Sequence, residues 1–148
     1  MKKYFKQIFI ISIILSFTFI YNLQSAFAQN QPHLITSHGK IPNFAQFPTI
    51  LSAQNGLWSD PNTWSPARLP AAGDVILINH MVTYGNTSGE AKTIGIDVGG
   101  ILKFKNDTNT RLKVGTLLVM PGGTLEVGTE QSPIQSQVTA EIIIAISL

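Results

Sequence analysis

Five carboxylates, Asp74, Asp97, Asp107, Glu126 and Glu130, and two indoles, Trp58 and Trp64, are the side chains with the most chemical reach in this 148-residue sequence. Glycoside hydrolysis needs two carboxyl groups in different protonation environments, roughly 5–10 Å apart. The spacing signals no such pair. Asp97 and Glu126 fall on outward positions of alternating segments, and Asp74 follows Gly73 as a turn acid does, so no catalytic residue is legible. Asp107 and Asn109, in Asn106-Asp107-Thr108-Asn109-Thr110, can offer oxygens to calcium, the single cofactor candidate; Asx turns account for the same residues without an ion. Trp58 and Trp64 can stack on a sugar ring as a ligand-binding platform, or plug the open end of a stacked β structure, held by the Asp60-Pro61-Asn62 turn. His33, His38 and His80 lack metal-ligand spacing, so no metal site is expected. Asn86-Thr87-Ser88 and Asn106-Asp107-Thr108 satisfy the glycosylation acceptor pattern, with modification depending on the host.

The elements that must position these groups begin after an export signal. Lys2, Lys3 and Lys6 precede an apolar run from Ile8 to Tyr21, and Ala26-Phe27-Ala28 has the small-x-small form that a signal peptidase accepts. Cleavage after Ala28 starts the mature chain at Gln29. The run from Ile8 to Tyr21 is short of the roughly 20 residues that span a bilayer, which favours a secreted or cell-surface protein over one anchored by an uncleaved segment. Without the three leading lysines, seven basic residues face eight acidic ones, a net charge of −1. No basic stripe remains to neutralise a row of phosphates, so nucleic acid is not an expected partner. The chain has no cysteine, which excludes disulfides and thiolate metal sites.

Residues 29–55 read as a leader or linker. Pro32, Pro42 and Pro48 interrupt any helix, while Phe44, Phe47, Ile50 and Leu51 can dock on the domain as an irregular flap. From Gly56 to Leu148 short alternating runs predict an all-β domain. Val98-Gly99-Gly100-Ile101-Leu102-Lys103-Phe104 repeats as Pro121-Gly122-Gly123-Thr124-Leu125-Glu126-Val127, and Ile94/Leu117 and Ile96/Val119 keep the same offset upstream. Ile78-Asn79-His80-Met81-Val82-Thr83-Tyr84 reads as an earlier copy at a slightly shorter offset, with Asn79-His80 in place of the glycine pair as residues tolerant of φ > 0. A period of this length suits short coils of a parallel β-helix, or solenoid, with a β-sandwich as the alternative. The register predicts Ile96, Leu102, Val119 and Leu125 buried and Lys103 and Glu126 exposed. Val138 to Leu148 reads as a further strand, rich in Ile and nearly uncharged, with an edge suited to self-association.

Two separate motifs then carry a family resemblance. Gly56-Leu57-Trp58-Ser59-Asp60-Pro61-Asn62-Thr63-Trp64 with Leu69-Pro70-Ala71-Ala72-Gly73-Asp74-Val75-Ile76-Leu77-Ile78, and later Leu118-Val119-Met120-Pro121-Gly122-Gly123-Thr124-Leu125-Glu126-Val127-Gly128-Thr129-Glu130, resemble the G-eight domain, an extracellular module named for its eight glycines. The resemblance implies a secreted or cell-surface β domain near the start of a longer right-handed parallel β-helix, with residues 56–148 an incomplete copy of that body. Hyaluronan chemistry belongs to only some members. Three functions are therefore open: a structural or interaction module, a module binding a hyaluronan-like glycan, or a fragment of a polysaccharide-cleaving enzyme. The corresponding partners are an extracellular glycan, another β-rich domain, or a second copy of the chain.

Overall fold

The computed structural model describes residues 34–36 and 39–145. The expected signal segment, its Ala28/Gln29 junction, His33, His38 and the last three residues lie outside them. A hairpin pairs β1 (Leu34–Thr36) with β2 (Gly39–Ile41). There follow β3 (Ile50–Ser52), β4 (Gly56–Leu57), one 3-10 turn (Pro61–Thr63), β5 (Trp64–Ser65), β6 (Val75–Ile78) and β7 (Met81–Tyr84). The chain continues through β8 (Gly89–Ile96), β9 (Ile101–Phe104), β10 (Thr110–Val119), β11 (Thr124–Glu126) and β12 (Ala140–Ile144). The fold is all-β.

The chain passes back and forth between two sheets. One has the order β12-β10-β8-β6-β3-β5 and the other β11-β9-β7-β4. Every pairing in them is parallel except β3 with β5, which runs antiparallel at one edge. Parallel registers set like positions over one another. Ile50, Ile76, Ile94 and Leu117 form one such row, and Val82, Leu102 and Leu125 another. Side chains from both sheets meet in a single core.

Burial follows the predicted register where a row is covered on both sides. Ile96 and Leu102 are fully buried. Val119, expected inside, is 36% exposed, and Leu125 is only partly buried. The cause is coverage: β12 pairs with β10 only over Thr110–Val114, so Thr116–Val119 and β11 have a strand neighbour on one side alone among the described residues. Lys103 and Glu126 lie on the outer row and form an ion pair at 2.6 Å.

The first corner differs from its sequence reading. The register aligns Ile78 with Ile96, not Val98, while Met81 aligns with Ile101. Asn79-His80 is therefore a two-residue corner, whereas Asp97–Gly100 and Met120–Gly123 are four-residue corners that use Gly99 and Gly122 at φ +77° and +86°. No non-glycine residue among those described has a positive φ, so Asn79 and His80 do not imitate the glycines. Ser52 closes this corner instead. Its hydroxyl oxygen accepts the backbone N–H groups of Asn79 (2.9 Å) and His80 (3.1 Å), and its O–H donates to Asn79 Oδ1 at 2.7 Å. His80 Nδ1 lies 2.9 Å from the Ser52 carbonyl.

Part of the segment read as a leader belongs to the sheet. Ile50 is fully buried and β3 is a paired strand. Just before it, Ala45 seats against Gly95, where an added Cβ would stand 2.5 Å from the Ala45 methyl. Phe44 and Phe47 do not dock with it; Phe47 is 80% exposed.

Candidate functional site

The tryptophans occupy the end of the core next to β5. The Asp60 carboxylate caps the 3-10 turn by accepting the Asn62 N–H at 2.9 Å, which brings Trp64 back toward Trp58. The Trp64 indole N–H donates to the Trp58 carbonyl at 2.9 Å. Their rings meet edge to face at 5.1 Å, Trp58 meets Tyr84 in the same way at 5.1 Å, and Tyr84 leans on Phe104 at 4.9 Å. These are favourable aromatic geometries. Both indoles are only 2% exposed. Neither offers a face to a sugar, because each ring is packed against the next aromatic in the column.

Among the acids, Asp74 is the most tightly held. Its carboxylate receives both guanidinium nitrogens of Arg68 at 2.7 Å, the Thr49 hydroxyl at 2.7 Å and the Ala71 N–H at 2.8 Å. The Arg68 hydrogen bonds, with those from Thr49 and Ala71, hold the carboxyl far below the usual carboxylate range against the opposing effect of burial. A carboxylate so committed ties the 66–74 loop to the start of β3; it has no lone pair left for proton transfer.

The remaining acids are apart from one another in their contacts. Asp97 accepts the N–H of Val98 at 2.8 Å, Asp107 accepts the Thr108 hydroxyl at 3.0 Å, Glu126 pairs with Lys103, and Glu130 is exposed. The Asn109 side-chain oxygen, the other calcium candidate, accepts the Thr139 N–H at 2.9 Å. No group of three His, Asp or Glu side chains comes together in metal-binding geometry among the described residues. The two sequons differ: the Asn106 amide nitrogen donates to Ser132 Oγ at 2.9 Å and to the Pro133 carbonyl, while Asn86 lies half-buried between β7 and β8.

The family model described as "G8 domain" matches residues 63–145, more than half of the chain. The chain belongs to the G8 domain family. Relatives include mouse (Mus musculus) fibrocystin, 29% identical over 87 residues, and a Dictyostelium discoideum protein, 27% identical over 111 residues. These matches cover 57% and 75% of this chain but only 2% and 9% of the relatives, so the chain spans a small part of each. No solved structure matches it. The G8 match takes in Trp64, Asp74 and both glycine corners, whereas Trp58 and the paired strand β3 precede it.

Two ion pairs on the G8 surface were not legible as pairs in the sequence. Glu90 meets Lys113 at 3.3 Å and Arg111 meets Glu141 at 3.4 Å, both across adjacent parallel strands. The repeat offset contained the signal for the first pair, since it carries Glu90 onto Lys113 as it carries Ile96 onto Val119. Exposed pairs of this kind contribute about 0–1 kcal/mol each. They fix little of the stability and define the outer surface instead.

Proposed function

We propose that this chain is an extracellular structural and interaction module, formed by the first coils of a right-handed parallel β-helix. The observation that carries the reading is the uninterrupted parallel register of β3, β6, β8, β10 and β12 beside that of β4, β7, β9 and β11. A strand that leaves one sheet, forms a strand in the other and returns in parallel beside its predecessor describes one coil, and parallel crossovers of this type are right-handed in about 98% of cases. The antiparallel β5 and the Trp58–Trp64 pair support a capped first coil, because a terminal coil otherwise opens its apolar interior to water. An extracellular or cell-surface location is supported by the family and by the signal-like segment from Met1 to Ala28. On this reading the partners are β-rich surfaces rather than a buried small-molecule pocket.

Export and compactness are tested together. The full chain is expressed in an exporting host, recovered from the outer fractions, and digested briefly with trypsin. The expected product starts at Gln29 by mass spectrometry and resists cleavage at Arg111 and Lys113, which lie within a paired strand. Intact Met1-containing chain confined to the cytoplasm, or rapid cutting at those two sites, would count against the proposal.

A further inference from the structure

We propose that two copies of this chain join edge to edge through β12 in a closed two-fold dimer, so that their six-stranded sheets continue into each other. β12 is the outer strand of its sheet, and no described strand lies on its far side. Natural sheet edges are blunted by proline, lysine, a bulge or a covering element. β12 contains neither proline nor lysine, pairs with β10 from Ala140 to Ile144 without a skipped residue, and leaves Ile144 57% exposed.

The ladder selects the geometry of the contact. Successive residues of a strand turn their backbone N–H and C=O groups to opposite sides. On the side facing β10, the Thr139 carbonyl accepts the Thr110 N–H at 2.8 Å, and the Ala145 N–H donates to the Val114 carbonyl at 2.9 Å. Every second residue from Thr139 to Ala145 thus serves β10, and the backbone groups of Ala140, Ile142 and Ile144 point outward. A second β12 laid antiparallel, with the two-fold axis at Ile142, sets Ile142 against Ile142 and Ala140 against Ile144. In an antiparallel ladder each such pair exchanges both its N–H and C=O bonds, so every outward group of β12 finds a partner. Moving the axis to Glu141 would set two carboxylates directly opposite each other, which is destabilising. With the axis at Ile142, each Glu141 meets the uncharged Ile143 of the second copy. The same arrangement keeps the Ile142 and Ile144 rows of both copies on one face, whereas a parallel pairing turns one copy over and sets its apolar row beside the other's outer face. At the opposite edge stands the two-residue β5, antiparallel to β3, with Trp58 and Trp64 filling the core end beside it. An edge so short offers little to pair with, and a self-complementary contact closes at two copies instead of growing into a fibre.

The inference rests on the coil reading above for the outer place of β12, yet the two fail separately: a persistent monomer that still resists trypsin sinks the dimer alone. Sedimentation of the exported chain should show a monomer–dimer equilibrium with a dissociation constant on the order of 10 µM and no larger species. Disulfide trapping reads the register, since the chain has no cysteine of its own. Facing residues of a non-hydrogen-bonded antiparallel pair have Cα atoms about 4.5 Å apart, within disulfide reach, and diagonal neighbours are roughly 7–8 Å apart. An equimolar mixture of Glu141→Cys and Ile143→Cys chains should therefore give a covalent heterodimer, with about tenfold less product from either chain alone. Ile142→Pro removes an outward N–H and no bond to β10, and should weaken the dimer more than about tenfold; if that variant does not fold, the trapping mixture decides. Equal trapping by either chain alone, or assembly beyond two copies, would overturn the proposal. So would a monomer up to about 300 µM, including one whose Ile142 N–H resists hydrogen exchange because the chain's own residues cover the edge.

Discussion

Tyr84→Ala is expected to lose about 3–5 kcal/mol, a large share of the total stability, while Tyr84→Phe folds with a modest loss. Tyr84 is fully buried at the middle of the aromatic column, in contact with Trp58 on one pass and Phe104 on the next. Truncating a buried aromatic costs about 3–5 kcal/mol, through lost transfer energy and the cavity left behind. A domain of this size holds only about 5–15 kcal/mol in total. The loss falls on two passes at once, because the same ring separates Trp58 from Phe104. The hydroxyl is a smaller matter: it donates to the Arg111 carbonyl at 2.6 Å, and its removal costs about 1 kcal/mol. That hydroxyl has a second signature. Burial pushes its pKa up to about 12, so its contribution is fully present below the unfolded value near 10 and is lost as pH rises toward 12. Urea melts across this range should show an alkaline decline in the parent that is reduced in Tyr84→Phe. A folded Tyr84→Ala with near-parent stability would refute the column as the organising feature of the core.

Gly100→Ala is expected to destabilise the chain by about 3 kcal/mol, clearly more than Gly99→Ala at about 1–2 kcal/mol. The ranking reverses what backbone angles alone suggest. Gly99 has the left-handed φ of +77°, but an added Cβ there meets nothing within 4 Å. Gly100 has an ordinary φ, yet its missing Cβ would collide with the Ile78 carbonyl oxygen and stand 2.8 Å from the carbonyl carbon. Both are backbone atoms of the preceding pass and cannot rotate away. Gly123 stands in the same relation to the Ile96 carbonyl oxygen, at 2.5 Å, which explains why the glycine pair recurs from one pass to the next. Denaturant midpoints of the two single variants check the ranking; a larger loss at Gly99 would mean that the corners, not the approach of successive passes, demand the glycines.

Much of this arrangement is legible in the sequence. The repeat that sets Ile96 on Val119 and Lys103 on Glu126 is present in the ladder, because equal corner lengths preserve the sequence offset. The offset fails at Asn79-His80, where the corner is shorter and Ser52, a residue 27 positions from Asn79, supplies the closure. A contact so remote leaves no trace in local spacing. Val119 is more exposed than its alternation predicts, because alternation says which face a residue joins, not whether another strand covers it. Trp58 and Trp64 illustrate the same limit: a turn between two indoles is equally compatible with a surface platform and a buried pair, and only the column through Tyr84 and Phe104 decides between them. Ile50–Ser52 is hidden by the prolines on its N-terminal side, which break helices and leave a short strand permitted.

Parallel stacking of successive passes is the claim on which the rest depends, and a pair of engineered cysteines tests it most directly, since the chain has none of its own. Thr83 and Lys103 face each other across β7 and β9, whereas Ile101 is two residues out of register with Thr83. Neighbours in register lie about 5 Å apart and diagonal ones about 8 Å, on either side of the roughly 7 Å limit for a disulfide. Mild oxidation of the Thr83→Cys/Lys103→Cys double variant should give a rapid, nearly complete intramolecular disulfide, with little formed by Thr83→Cys/Ile101→Cys. Failure of the in-register pair to close, or equal closure by both pairs, would contradict the parallel register and favour a sandwich of hairpins.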